Sequence, residues 1–176
     1  MAMRLISDNG NKSQFRRLSG REKTLALVVL AALLVGVWMP GRIIVATSAS
    51  LDHRVFFLVP ASTVKTGDFL VFRHPDATFV AQGLNRSNNR LIKRVGCSPG
   101  ENLVTDEERQ FFCDGMLLGK ALDQDSTGLM LPRFQYSGTV PAGSFFMVGS
   151  NPRSFDSKYF GYIHVNEILY KALPLW

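Results

Sequence analysis

The sequence predicts a mostly β domain preceded by one N-terminal apolar helix. Three observations carry that expectation. Beyond Ile43 the apolar residues fall in short runs rich in Val, Ile and Phe. Clusters of Gly, Pro, Asp and Asn separate those runs at hairpin-like intervals. A single uncharged stretch, TLALVVLAALLVGVWMP (Thr24 to Pro40), lies ahead of all of them. At 176 residues the chain suits one self-supporting core, and its 46% apolar and 19% charged residues place it below the charge content of an ordinary soluble domain.

Residues 1–23 form a basic tail. Arg4, Lys12, Arg16, Arg17, Arg21 and Lys23 stand against Asp8 and Glu22 and account for much of the net charge of +6. No base-reading motif and no interleaved aromatic residues accompany them, so nucleic acid is not an expected partner. Residues 24–42 are expected to be a transmembrane anchor, with Trp38 suited to an interface and the basic tail retained in the cytoplasm. A cleaved signal peptide is the competing reading, and the long charged region ahead of the apolar run counts against it. A buried core helix is the plainer alternative for a run with no polar face. Residues 43–176 then lie across the membrane.

In that third segment RVFFLV, DFLVFR, TFVAQ, RLIKRV, QFFC, SFFMVG and GYIHV read as strands, and Asp114-Gly115 as a two-residue hairpin turn. ALDQDSTGLMLPRFQYSG (Ala121 to Gly138) reads as an exposed loop. Cys97 and Cys113 both follow the anchor and face an oxidising compartment, which favours a disulfide; two free thiols are the alternative. With no His beside them they make a poor metal site, and neither metal nor cofactor is expected.

Lys93 interrupts the LIKRV run. Alternation along a strand puts it on one face with Leu91 and Val95, pointing inward, and Arg94 on the other face with Ile92. A free lysine has a pKa of about 10.4 and only about one molecule in 10³ is neutral at pH 7. Burial lowers that pKa and makes lysine a competent base; a stem that packs while the amine reaches water is the plainer alternative. The serines of ATSAS supply hydroxyls for such a base, and Ser48 and Ser50 share a side if the segment is extended. His53, His74 and His164 do not make a triad with them, because no G-x-S-x-G elbow accompanies any of the three.

Several boxes, in order, resemble those of the type I signal peptidases. LIKRVGCSPGE resembles their lysine box. GSNPRSFDSKYFG (Gly149 to Gly161) resembles their C-terminal box, VKTGDFLVF their G-D-x-V-x-F strand, and VPAGSFFMVGSN the run that leads into G-D-N. The short chain and the SASLDHRVFFL segment are most similar to the TraF-type peptidases of conjugative transfer systems. The resemblance implies a signal-peptidase-like β-barrel or coiled β-sheet catalytic domain behind one transmembrane helix.

Position by position, the resemblance makes Ser50 the nucleophile, Lys93 the general base, Ser48 an oxyanion donor and Ser154 the serine that orients the lysine amine. Asp156 and Lys158 become a supporting charged pair; Arg94, next to Lys93 in the sequence, is expected to support the site as well. Asp52 and Arg54 stand where proline and glycine are usual, Ser150 replaces an aspartate, and Lys158 replaces an arginine and so loses its bidentate fork. The implied function is a Ser-Lys serine endopeptidase of a bacterial inner membrane, N-terminus cytoplasmic and catalytic domain periplasmic. Its partners would be membrane lipid, an exported preprotein such as a prepilin, and other conjugation-apparatus proteins. Release would be by hydrolysis or by pilin cyclisation. The non-enzymatic alternative is an anchored β-rich scaffold.

Overall fold

The computed structural model describes residues 19–38, 40–74 and 90–176. The expected TFVAQ strand and most of the basic tail lie outside them. The chain divides into two units, Met1–Pro40 and Gly41–Trp176.

Helix α1 (Gly20–Trp38) opens on a reciprocal cap: the Ser19 amide donates to Glu22 Oε2 at 2.7 Å and the Glu22 amide to Ser19 Oγ at 3.4 Å. Its apolar side chains, Leu25, Leu27, Val28, Val29, Leu30, Leu33, Leu34 and Val35, are all more than half exposed. No helix among the described residues is long and apolar enough to cross a membrane. Arg21, Glu22 and Lys23 occupy the first turn of α1, which shortens its uncharged part. Pro40–Arg42 forms a 3-10 turn.

The described residues of the second unit form eleven strands: β1 (Ile43–Val45), β2 (Val55–Val59), β3 (Phe69–Arg73), β4 (Arg90–Cys97), β5 (Asn102–Thr105), β6 (Gln110–Cys113), β7 (Met116–Lys120), β8 (Ser137–Thr139), β9 (Ser144–Val148), β10 (Ile163–His164) and β11 (Ile168–Pro174). One four-residue helix, α2 (Ser157–Phe160), lies between β9 and β10. Seven strands pair in the order β1-β2-β11-β3-β4-β9-β10, and four in the order β7-β6-β5-β8. Both orders have free ends among the described residues, and the mostly β architecture expected from the sequence takes the form of two sheets.

The larger sheet is apolar on both faces, which is why its strands read as nearly continuous runs rather than alternating ones. Phe56, Leu58, Val71 and Ala172 pack on one side with Ala46 and Leu51. Leu70, Phe72, Val95, Phe145, Met147 and Ile163 pack together as a second cluster. A third cluster joins the two sheets: Cys97, Phe146 and Val148 meet Leu103, Phe111, Cys113, Val140 and Tyr159. Asp114 (φ 46°) and Gly115 (φ 80°) both take the left-handed conformation that the Asp-Gly turn between β6 and β7 requires.

Cys97 and Cys113 form a disulfide that ties β4 to β6 across a sequence separation of 16. Closing a loop of that size stabilises by about 3 kcal/mol in the chain-entropy account. The double replacement Cys97→Ser/Cys113→Ser is therefore expected to lose about that much in urea denaturation; an unchanged midpoint would mean that the sheets hold without the bridge.

Candidate active site

Lys93 sits in the middle of β4, opposite Leu70 of β3 in the register. Facing residues of an antiparallel pair project to the same side, so the amine leaves the strand beside Leu70, which is wholly buried. The whole Lys93 residue is 3% exposed. Its Nζ donates to Ser154 Oγ at 2.7 Å. Burial pushes the Lys93 ammonium down to about 8, while nearby Asp156 pulls it back up and Lys158 pushes it down. Arg94, the next residue, projects from the opposite face of the pleat and registers with Phe69 and Val148.

Ser154 is buried in the loop between β9 and α2, and its amide donates to the Asn151 carbonyl at 2.9 Å. Two residues on, Asp156 caps α2. Its carboxylate accepts from the Lys158 amide at 3.1 Å, from Lys158 Nζ at 2.7 Å and from the Gly149 amide at 2.9 Å. The Asp156–Lys158 ion pair is out of water, with side-chain exposures of 0% and 2%. It thus fastens both ends of the segment that carries Ser154. The Lys158 ammonium supplies one bond to this carboxylate, where an arginine fork would supply two.

Ser48 and Ser50 lie in the reversal between β1 and β2, not in an extended segment. β1 pairs antiparallel with β2, so the chain must turn back between Val45 and Val55. That turn still brings the two hydroxyls together, Oγ to Oγ 2.8 Å. The Ser50 carbonyl accepts from the Ser150 amide at 2.9 Å and the Asn151 amide at 3.4 Å, which docks the turn on the loop carrying Ser154. Ser150 therefore contributes its backbone, and the loss of an aspartate side chain there leaves this contact intact.

Gly149 and Ser157 escaped the sequence reading as site residues. A Cβ at Gly149 would lie 2.1 Å from Ser154 Oγ and 2.7 Å from the Ser50 carbonyl oxygen. Only glycine allows those two groups to crowd one point. Ser157, buried, accepts from the Met147 amide at 2.8 Å and secures α2 to β9. The one signal for either was its place in GSNPRSFDS. The histidines stay apart from the serines' chemistry. His53 packs edge-on to Phe69, His74 stacks on Phe160, and His164 Nδ1 lies 3.2 Å from Ser144 Oγ.

The arrangement is a buried amine held by one serine, beside a turn bearing two more. A family model described as signal peptidase, peptidase S26, matches residues 20–176. The chain belongs to the signal peptidase S26 family. Among curated S26 relatives it is similar to a signal peptidase I of Pseudomonas aeruginosa, with 25% identity over 161 aligned positions that cover 72% of this chain and 52% of that protein. The chain thus spans about half the length of the curated relative it matches. A crystal structure of a signal peptidase I from Enterococcus faecalis V583 aligns with a TM-score of 0.39 and 20% identity, over 62% of this chain and 97% of that one.

Proposed function

We propose that this S26 family member is a serine endopeptidase that cleaves exported preproteins with a Ser50–Lys93 dyad. The observation that carries the reading is the buried Lys93 amine, held by Ser154 and pushed down to about 8 next to the turn that bears Ser50.

Ser50 Oγ attacks the scissile carbonyl and neutral Lys93 takes its proton. A neutral amine has two N–H bonds and one lone pair. Donation to Ser154 Oγ uses one N–H and aims the group, which leaves the lone pair free for the Ser50 proton. The Ser50 amide and the Ser48 hydroxyl donate to the oxyanion, each worth about 3 kcal/mol. At rest the Ser48 and Ser50 hydroxyls share a hydrogen bond, and the Ser48 proton has to point to the oxyanion when Ser50 attacks. Lys93 ammonium then protonates the departing amine, and Ser50 is left acylated. Water, or an amine of the substrate, releases the acyl group; in the second case the product is cyclic.

The finer reading rests on sequence resemblance. SASLDHRVFFL favours a TraF-type enzyme acting on a prepilin of a conjugative transfer or type IV secretion system. Residues 24–42 would serve as the anchor, supported by the exposed apolar side chains of α1, with residues 43–176 as the periplasmic peptidase domain.

Co-expression with candidate prepilins tests the proposal. Ser50→Ala is expected to abolish processing with the protein still inserted in the membrane; normal processing by that variant removes the nucleophile assignment. The alternative, an inactive anchored scaffold, rests on the departures from the family pattern at Asp52, Arg54 and Lys158. Equal, absent processing by wild type and Ser50→Ala against every prepilin offered would support it.

A further inference from the structure

The turn that carries Ser50 is fixed at three places, and one of them lies at the far end of the sequence. On one side the Ala46 amide donates to the Arg54 carbonyl at 2.8 Å and closes the β1–β2 stem. At the tip the Ser50 carbonyl binds the Ser150 and Asn151 amides. On the other side β11 runs antiparallel to β2, with Leu173 opposite Phe57 and Pro174 opposite Phe56. The pairing does not stop there. The Leu175 amide donates to the Val55 carbonyl at 2.8 Å, and the Trp176 main-chain oxygen accepts from both the Arg54 amide, at 2.7 Å, and the Val55 amide, at 2.8 Å.

We propose that Trp176 is a positioning residue for the nucleophile, acting through its main-chain oxygen and not through its ring. This rests on Ser50 being the nucleophile, as proposed above. The Trp176 residue is 79% exposed, so its side chain adds little packing to this unit. Its main-chain oxygen, by contrast, uses two lone pairs on two consecutive amides of the returning arm. Arg54 is thereby gripped through its N–H on the β11 side and through its C=O on the β1 side. Three residues separate that grip from Ser50. Without it, the Arg54 and Val55 amides lose this partner, and the arm keeps the Ala46–Arg54 bond, the Leu175–Val55 bond and the tip. A shift of about 1 Å in a reacting group can cost about 10²-fold in rate.

The test compares the full chain with a chain stopped after Leu175 and with Trp176→Ala, which keeps the main-chain oxygen. The stopped chain is expected to lose about tenfold or more in kcat with KM within about twofold, because attack and not substrate docking is disturbed. Its pH midpoint should stay near that of wild type, since Lys93 keeps its burial and its bond to Ser154. Hydrogen exchange at the Arg54 and Val55 amides should accelerate in the stopped chain and remain slow in Trp176→Ala, which should also keep its kcat. Wild-type kcat in the stopped chain overturns the proposal, and so does an equal loss in Trp176→Ala, which would point to the ring. If the stopped chain fails to fold, exchange in the wild type decides: unprotected Arg54 and Val55 amides in the folded protein sink the clamp. Ser50→Ala in the same assay separates the two readings. Activity in that variant removes the nucleophile assignment, while an inactive Ser50→Ala beside a fully active stopped chain removes only the clamp.

Discussion

Lys93→Met is expected to abolish turnover and, at neutral pH, to make the protein more stable. The two effects share one cause. The Lys93 ammonium, ordinarily at 10.5, is pushed down to about 8 by burial. In the unfolded chain the amine stays protonated up to its ordinary pKa; in the folded chain only up to about 8. Between those values unfolding takes up a proton, so stability rises with pH from about 8 to 10.5. Below pH 8 the folded state bears the whole penalty, of order 3 kcal/mol. Methionine fills a similar volume without charge and loses one hydrogen bond to Ser154, worth about 1 kcal/mol. The variant should therefore gain about 2 kcal/mol in urea denaturation at pH 6 to 7, and that gain should fade as pH climbs from about 8 toward 10.5. Wild-type kcat/KM should rise about tenfold per pH unit below the midpoint and level off above 8. A profile still climbing at pH 10, or a Lys93→Met protein less stable than wild type at neutral pH, would mean that the amine is not desolvated as described.

Asp156→Ala is expected to cost about 3–5 kcal/mol, the range for removing one partner of a buried ion pair. It strands the Lys158 ammonium in a site that is 2% exposed, and it frees the amides of Gly149 and Lys158. Urea denaturation of both single variants and of Asp156→Ala/Lys158→Met would show whether the pair behaves as a unit. The double variant should be less destabilised than the sum of the two singles, because neither partner is left charged and alone. The charges also reach Lys93 with opposite signs: Asp156 raises its pKa and Lys158 lowers it. In Asp156→Asn the midpoint of the pH-rate profile should therefore move below that of wild type, and in Lys158→Met above it. Unmoved midpoints would show that the pair supports the loop without acting on the base.

The fold and the site were legible in the sequence to different degrees. The β2, β3, β4, β6, β9 and β10 strands lie within runs marked by Val, Ile and Phe between turn residues, because local chemistry is enough to favour an extended, buried chain. β11 was not legible. In ILYKALP a lysine and a proline interrupt the apolar run, and the strand exists because β2 and β3 leave a place between them, where Lys171 pairs with Asp68 at 2.7 Å. The Ser48 and Ser50 hydroxyls were expected together on an extended segment. They are together, in a turn, because β1 pairs with β2.

What the sequence determined by itself was the set of chemical groups and the periodicity that buries one of them. A lysine two residues from Leu91 and from Val95 on one strand has to face the interior if they do. Only the tertiary structure decided what that lysine meets. Ser154 lies 61 residues away along the chain, and its hydroxyl reaches the amine because Asp156 ties down the loop and Gly149 leaves room beside the Ser50 carbonyl. Backbone and side-chain preferences act over a few residues, whereas the distance between a base and the groups around it is set by strand pairing and by which buried atoms can share the same space.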